Sequence, residues 1–301
     1  MGEPLSIETA AAAPAPASAT APGLARAVPW RDRVGRRWGR MLDHVTQPLY
    51  ALYERRLLNQ VAHRPCPRHV GLVLDGNRRH AQLTGVADPH AIYALGAHKL
   101  DHVLDWCAEL AIPAVTLWVC STDNLGRSSD QVAGIMRAVE DKMHALAADP
   151  RIHSRGVRVR AIGRLLELPA STQAAIRAAE AATAGYDALL LSIAVAYGGR
   201  EEITDAVRAV LREAGEAGAT LAEAADAVTP EAIEHHLYLS GVPEPDLLIR
   251  TSGELRLSGF LLWQSARSEF YFSDVLWPRF RKIDFLRAVR SFQERTRRFG
   301  R

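Results

Sequence analysis

From residue 69 onward, short unbroken apolar runs alternate with longer stretches in which apolar residues recur every three or four positions. Continuous runs rich in β-branched residues suit strands buried on both faces of a parallel sheet, and the 3.6-residue period is that of amphipathic helices. The runs predict strands over His69 to Asp75, Ala114 to Cys120, Val157 to Ile162, Leu189 to Ala196, Leu247 to Thr251 and Glu269 to Phe272. The periodic stretches predict helices over Gly96 to Leu110, Ser129 to Leu146, Ser171 to Ala182 and Glu201 to Ala214. This alternation specifies an α/β fold, a single domain with a largely parallel central sheet flanked by helices. The Gly198-Gly199 pair reads as a turn from strand into helix, and the Ala- and Glu-rich Glu213 to Ala227 as a surface excursion.

The first fifth of the chain, residues 1–60, has a different texture. Residues 1–28 are rich in Ala and Pro and hold too little large apolar surface to offset the entropy of ordering, so a disordered tail is expected. Residues 29–60 form a basic amphipathic segment, with Trp30, Val34, Trp38, Leu42 and Val45 at helical spacing among Arg31, Arg33, Arg36, Arg37 and Arg40. Such a stripe more often packs on the protein's own body, but it also suits an anionic membrane interface, and peripheral membrane contact stays open. Residues 61–301 are then the expected main folded domain.

Composition narrows the classes. With 301 residues, 48% of them hydrophobic, the chain can bury a full core. A net charge of +3 is too slight to argue for nucleic acid, and the expected partners are small anions. Cys66, Cys107 and Cys120 have no paired or metal-ligand spacing. No apolar stretch is long and charge-free enough to span a bilayer and no signal segment is visible, so a cytoplasmic location is the default expectation.

Three segments carry candidate chemistry, each at a predicted strand end. HVGLVLDGNRRHA ends its apolar run on Asp75, Gly76, Asn77, Arg78 and Arg79. In open α/β sheets ligands bind beyond the carboxyl ends of strands. There Asp75 can hold a divalent cation, Gly76 lets backbone approach an anion, and the arginines can neutralise a diphosphate. STDNLGR follows the second strand and offers Ser121, Asn124 and Arg127, or simply a polar cap for the helix behind it. LLIRTSGELRLSGF places Arg250, Arg256 and Ser258 in otherwise apolar sequence, where buried charge needs a compensating partner; guanidinium planes bind phosphate oxygens bidentately.

Together these segments resemble the signatures of the cis-prenyltransferases, the family of undecaprenyl diphosphate synthase and of short-chain Z-farnesyl diphosphate synthases, from roughly Pro48 to Arg301. The resemblance implies a fold enclosing an apolar tunnel, a homodimer, Mg2+ and two diphosphate substrates. Asp75 and Asn124 take the catalytic roles, and Gly76, Asn77, Arg78, Arg79, His80 and Arg127 the allylic diphosphate. Ser121, Arg250, Arg256 and Ser258 take isopentenyl diphosphate, and Asp75 with Glu269 the metal. The terminal Arg298, Phe299 and Gly300 resemble a family ending that reaches across the dimer. The chain departs from the common pattern at His80, where many members have Trp, and at Ile92, Tyr93 and Ala94, where many have Gly-His-Arg or Gly-Tyr-Arg.

DGNRR, STDNL and RLSGF are most similar to the short-chain actinobacterial enzymes, which implies geranyl diphosphate plus isopentenyl diphosphate giving Z,E-farnesyl diphosphate. Val119, Cys120 and the Ser129 to Leu146 helix are the expected tunnel walls. The alternatives are a longer-chain synthase, a family-derived terpene synthase or irregular coupling enzyme, and a non-catalytic partner subunit.

Overall fold

A computed structural model describes residues 48–295. The expected tail, most of the basic amphipathic segment and the Arg298-Phe299-Gly300 ending lie outside the described residues. The chain divides into two compact units between Tyr50 and Ala51, and of the first only residues 48–50 are described. In the second unit residues 51–62 form helix α1, whose Leu57 and Val61 are buried in the main core. The division thus falls ten residues before the boundary drawn from sequence after residue 60.

All six expected strands are present: β1 (His69–Val73), β2 (Ala114–Trp118), β3 (Val157–Ile162), β4 (Leu189–Ala194), β5 (Leu247–Arg250) and β6 (Glu269–Phe272). They make one sheet in the order β3-β4-β2-β1-β5-β6, every neighbouring pair parallel. Several strands are shorter than the hydrophobic pattern indicates. The β1 ladder stops at Val73 because the Asp75 amide turns back onto the Val73 carbonyl and the Thr251 hydroxyl, each 3.0 Å away.

Helices α2 (Asn77–Thr84) and α3 (Pro89–Glu109) link β1 to β2; α4 (Thr122–Leu125), α5 (Ser129–Ala148) and α6 (Pro150–Ser154) link β2 to β3. Helix α7 (Ala170–Thr183) precedes β4, and α8 (Gly199–Glu216), α9 (Leu221–Asp226) and α10 (Pro230–His236) precede β5. Helix α11 (Lys282–Glu294) ends the described chain. Helix α3 begins seven residues before Gly96, because the Asp88 side chain caps the Ala91 amide and Pro89 occupies the first helical position. The Glu213 to Ala227 stretch lies at the surface as expected but is largely helical, with a Thr220–Glu223 capping box starting α9.

His69, the first residue of β1, is buried; its Nδ1 lies 2.6 Å from the Pro243 carbonyl and its Nε2 2.8 Å from Thr116 Oγ1. Burial lowers its pKa, outweighing the Pro243 hydrogen bond and the Asp246 charge that act the other way. The native state therefore keeps this imidazole neutral where the unfolded chain already binds a proton. Its contribution to stability is complete above about pH 6.5 and is lost as pH falls through the lower native pKa. Unfolding free energy measured by urea titration is expected to decline below that pH, with a shallower decline in His69→Gln; parallel profiles would contradict the assignment.

Candidate active site

Strand order locates the site. The chain leaves β1 toward β2, on one side of the sheet, and leaves β5 toward β6, on the other. The carboxyl ends of β1 and β5 therefore flank a topological switch point, where open α/β sheets form their binding crevice. Asp75 follows β1 and Arg250 ends β5, and both line a cleft of about 1390 Å3 including its open mouth.

Arg250 is the hub of this cleft. Its side chain is only 6% exposed, and a guanidinium so buried needs partners on several sides. Nη2 donates to Asp75 Oδ2 at 2.9 Å; Nη1 donates to the Arg256 carbonyl at 2.5 Å and to Ser258 Oγ at 2.8 Å. One side chain thereby ties the carboxylate after β1 to the loop carrying Arg256 and Ser258. Ser252, Ser258 and Leu261 in that loop adopt left-handed φ angles of 79°, 51° and 45°, a backbone cost characteristic of functional sites. Burial raises the Asp75 pKa, but hydrogen bonds from Arg250, Ser252 and the Gly76 amide, with the Arg250 charge, outweigh it. The carboxyl is held below the ordinary aspartate range.

Gly76 turns the chain from Asp75 into α2 with φ 105°, and a Cβ there would lie 3.1 Å from the Leu276 Cα. Both the angle and the space require glycine. Asn77 begins α2 and donates to the Leu74 carbonyl at 3.1 Å, while its buried Oδ1 has no partner among the described residues. Arg79 donates to the Ser252 carbonyl at 3.0 Å and to Glu254 Oε1 at 2.8 Å. The other oxygen of Glu254 accepts from Arg256. Glu254 is a cleft residue that the sequence reading misses; it spaces two exposed arginines that would otherwise repel.

On the far side, Ser121 and Asn124 form a reciprocal capping box at the start of α4, with N–O distances of 3.2 and 3.3 Å. Arg127 Nη1 donates to the Tyr93 hydroxyl at 3.0 Å, so Tyr93, noticed in the sequence only as a departure, aims a cation into the cleft. Trp118 stacks on Phe260 at 5.3 Å and donates to the Tyr197 carbonyl, which supports the loop from beneath.

Leu74, Asn77, Tyr93 and Val119 line both this cleft and a second, apolar cavity between α3, α5 and the sheet, about 590 Å3 with its mouth. Of the walls expected from sequence, Val119 and helix α5 line the cavity, whereas Cys120 faces the polar cleft.

Eleven of the expected residues line the polar cleft: Asp75, Gly76, Asn77, Arg78, Arg79, Ser121, Asn124, Arg127, Arg250, Arg256 and Ser258. Two do not. His80 sits on α2 away from the lining, its buried Nδ1 without a partner among the described residues. Glu269 opens β6 and pairs with Leu247, at the amino end of the sheet. Asp75 lies about five residues further along the strand direction, roughly 16 Å at 3.3 Å per residue. Instead Glu269 accepts from Arg295 at 2.5 Å, so this chain does not bring Glu269 and Asp75 to one ion. Among the described residues no cluster of three or more His, Cys, Asp or Glu could hold a metal alone. A single ionised carboxylate nevertheless fits magnesium, which is usually bound by one or two carboxylates together with substrate phosphates.

The family model described as putative undecaprenyl diphosphate synthase matches residues 73–300. An isoprenyl transferase of Thermus thermophilus is 52% identical over 262 residues, 87% of this chain and 99% of that protein. A (2Z,6E)-farnesyl diphosphate synthase of Thermobifida fusca is 51% identical over 253 residues, 84% of this chain and 97% of that protein. The crystal structure of lavandulyl diphosphate synthase from Lavandula x intermedia, in complex with dimethylallyl diphosphate, superposes with a TM-score of 0.71 at 34% identity. It covers 78% of this chain and 99% of that one. The extent of these matches and the shared sheet place the chain in the undecaprenyl diphosphate synthase family, the cis-prenyltransferases.

Proposed function

We propose that the chain condenses geranyl diphosphate with isopentenyl diphosphate to give Z,E-farnesyl diphosphate. Prenyl transfer itself follows from family membership. The observation that carries the substrate class is the junction of a cation-lined cleft with an apolar cavity through four shared residues, a shape matched by a molecule with a diphosphate at one end and a hydrocarbon at the other. The short product is supported by the DGNRR, STDNL and RLSGF motifs and by the Thermobifida fusca relative.

In this reading the allylic diphosphate binds at Gly76, Asn77, Arg78, Arg79 and Arg127, its tail in the apolar cavity. Isopentenyl diphosphate binds at Arg256 and Ser258, on the loop that Arg250 fixes, and at Ser121 at the start of α4. A carbon–carbon bond forms between C4 of isopentenyl diphosphate and C1 of the allylic partner, the C1–oxygen bond breaks, and a proton leaves C2 of the isopentenyl unit. The arginines stabilise charge on the departing diphosphate, a preorganised arrangement of the kind that lowers such barriers most. Asn124 has no basic group, so its role is to align the isopentenyl unit for proton loss, with a diphosphate oxygen as final acceptor. Asp75 would hold magnesium together with diphosphate oxygens; the ion, when bound, neutralises phosphate charge. Glu269 serves such an ion only if a second copy of the chain, in the proposed homodimer, brings it there.

Purified protein incubated with magnesium, labelled isopentenyl diphosphate and geranyl diphosphate is expected to yield a C15 Z-product that chelator abolishes. Mainly polyprenyl products, an irregularly coupled product from dimethylallyl diphosphate alone, or no incorporation from any primer would overturn the proposal. Asp75→Ala is expected to fold and to lose about 10³-fold in turnover, the scale for removing one group that stabilises transition-state charge. Replacing Arg250 by Met removes the cation that offsets burial. The Asp75 carboxyl followed by carbon-13 NMR is therefore expected to titrate at higher pH than in wild type; an unchanged titration would contradict the role given to Arg250.

A further inference from the structure

Among the described residues, Lys142 is the one charged residue lining the apolar cavity. Its Nζ lies 2.5 Å from Asp101 Oδ1, and the two side chains are 13% and 24% exposed. Lys142 belongs to α5 and Asp101 to α3, the two helices that form one side of the cavity. They meet first near the mouth, where a Cβ on Gly134 would lie 2.7 Å from Pro89, and again at Lys142 and Asp101, so they run in the same direction. Tyr93 on α3 belongs to the mouth, shared with the diphosphate cleft. The lining residues furthest from it along the two helices are Leu100 on α3 and Lys142 and Met143 on α5. Seven residues separate Tyr93 from Leu100, which at 1.5 Å per residue is about 10 Å of depth.

We propose that the Lys142–Asp101 ion pair is a length stop that sets the longest prenyl tail the cavity accepts. The inference rests on the reading of this cavity as the site of the allylic tail. Hydrocarbon that extends past Leu100 must pack against, or displace, a partly buried pair whose charges lose water without gaining a polar partner. Between Asn77 and Tyr93 at the mouth and this pair, shorter tails meet only apolar wall. Charge is a sharper limit than bulk here, since an apolar side chain can change rotamer to admit an extra methylene while a paired ammonium can leave only by breaking its ion pair.

The first test measures binding without turnover. Calorimetric titration of wild type with saturated alkyl diphosphates of increasing chain length is expected to show affinity rising with each carbon and then falling at a break point. In the Lys142→Leu/Asp101→Leu double variant the break is expected to move to longer chains. The first chains beyond the wild-type break should gain about tenfold, the effect of one or two methylenes finding an apolar neighbour. Lys142→Met, which leaves Asp101 partly exposed to water, gives the same comparison if the double variant does not fold. The second test is product length from geranyl diphosphate with excess isopentenyl diphosphate, where the variants are expected to shift the main product upward by at least one isoprene unit. An unmoved break point in either variant overturns the length stop, whatever the product assay gives. Absence of any cis-prenyl product from wild type overturns the proposed condensation, while the alkyl series still decides the role of the pair.

Discussion

A guanidinium buried at the end of a β-strand must be compensated, and the way Arg250 is compensated organises the whole cleft. Its partners come from two separate segments: the carboxylate after β1, and the backbone and hydroxyl of the loop after β5. Neither segment is regular structure. Each is held where it is because leaving the charge unpaired would cost several kcal/mol. The central β1-β5 pairing, Val73 against Arg250, supplies the rigid base on which that triangle stands. Ionisation of Asp75 follows from the same contact, so geometry and charge state share one cause.

Around the hub, polar and apolar requirements meet at a narrow border. Asn77 and Gly96 touch there so closely that a Cβ on Gly96 would lie 2.5 Å from Asn77 Oδ1. The Trp277 indole donates to the Gly96 carbonyl at 2.9 Å and its backbone amide donates to the Asp75 carbonyl at 3.0 Å. One buried tryptophan thus fixes both the helix that walls the apolar cavity and the backbone of the residue whose carboxylate lines the polar cleft. The offset between the polar cleft and the apolar cavity is set by packing, which tolerates little adjustment.

Much of this was legible in the chain itself. The strands announce themselves because a fully parallel sheet buries both faces, so their apolar runs need no period to be recognised. Asp75, Arg250, Ser121 and their neighbours follow strand ends, and in such a sheet those ends converge on one crevice, where the structure brings them together. Three features depend on more than the apolar pattern. Glu254 and Tyr93 act through pairing with arginines distant in sequence, and only the fold brings those together. Helix α3 starts at the Asp88-Pro89 cap, ahead of the apolar period that marks its body. Glu269 opens a parallel strand, which within one chain puts it at the opposite end of the sheet from Asp75.

The most direct test of Arg250 as the link between the two halves of the cleft is a double-mutant cycle on Asp75→Asn and Ser258→Ala. Binding of inorganic diphosphate in the presence of magnesium would be read by calorimetry in both the wild-type and the Arg250→Met backgrounds. Coupling through one guanidinium predicts an interaction energy above about 1 kcal/mol in the first background and none in the second. Additivity within about 0.5 kcal/mol in the wild-type background, or equal coupling in both, would contradict it.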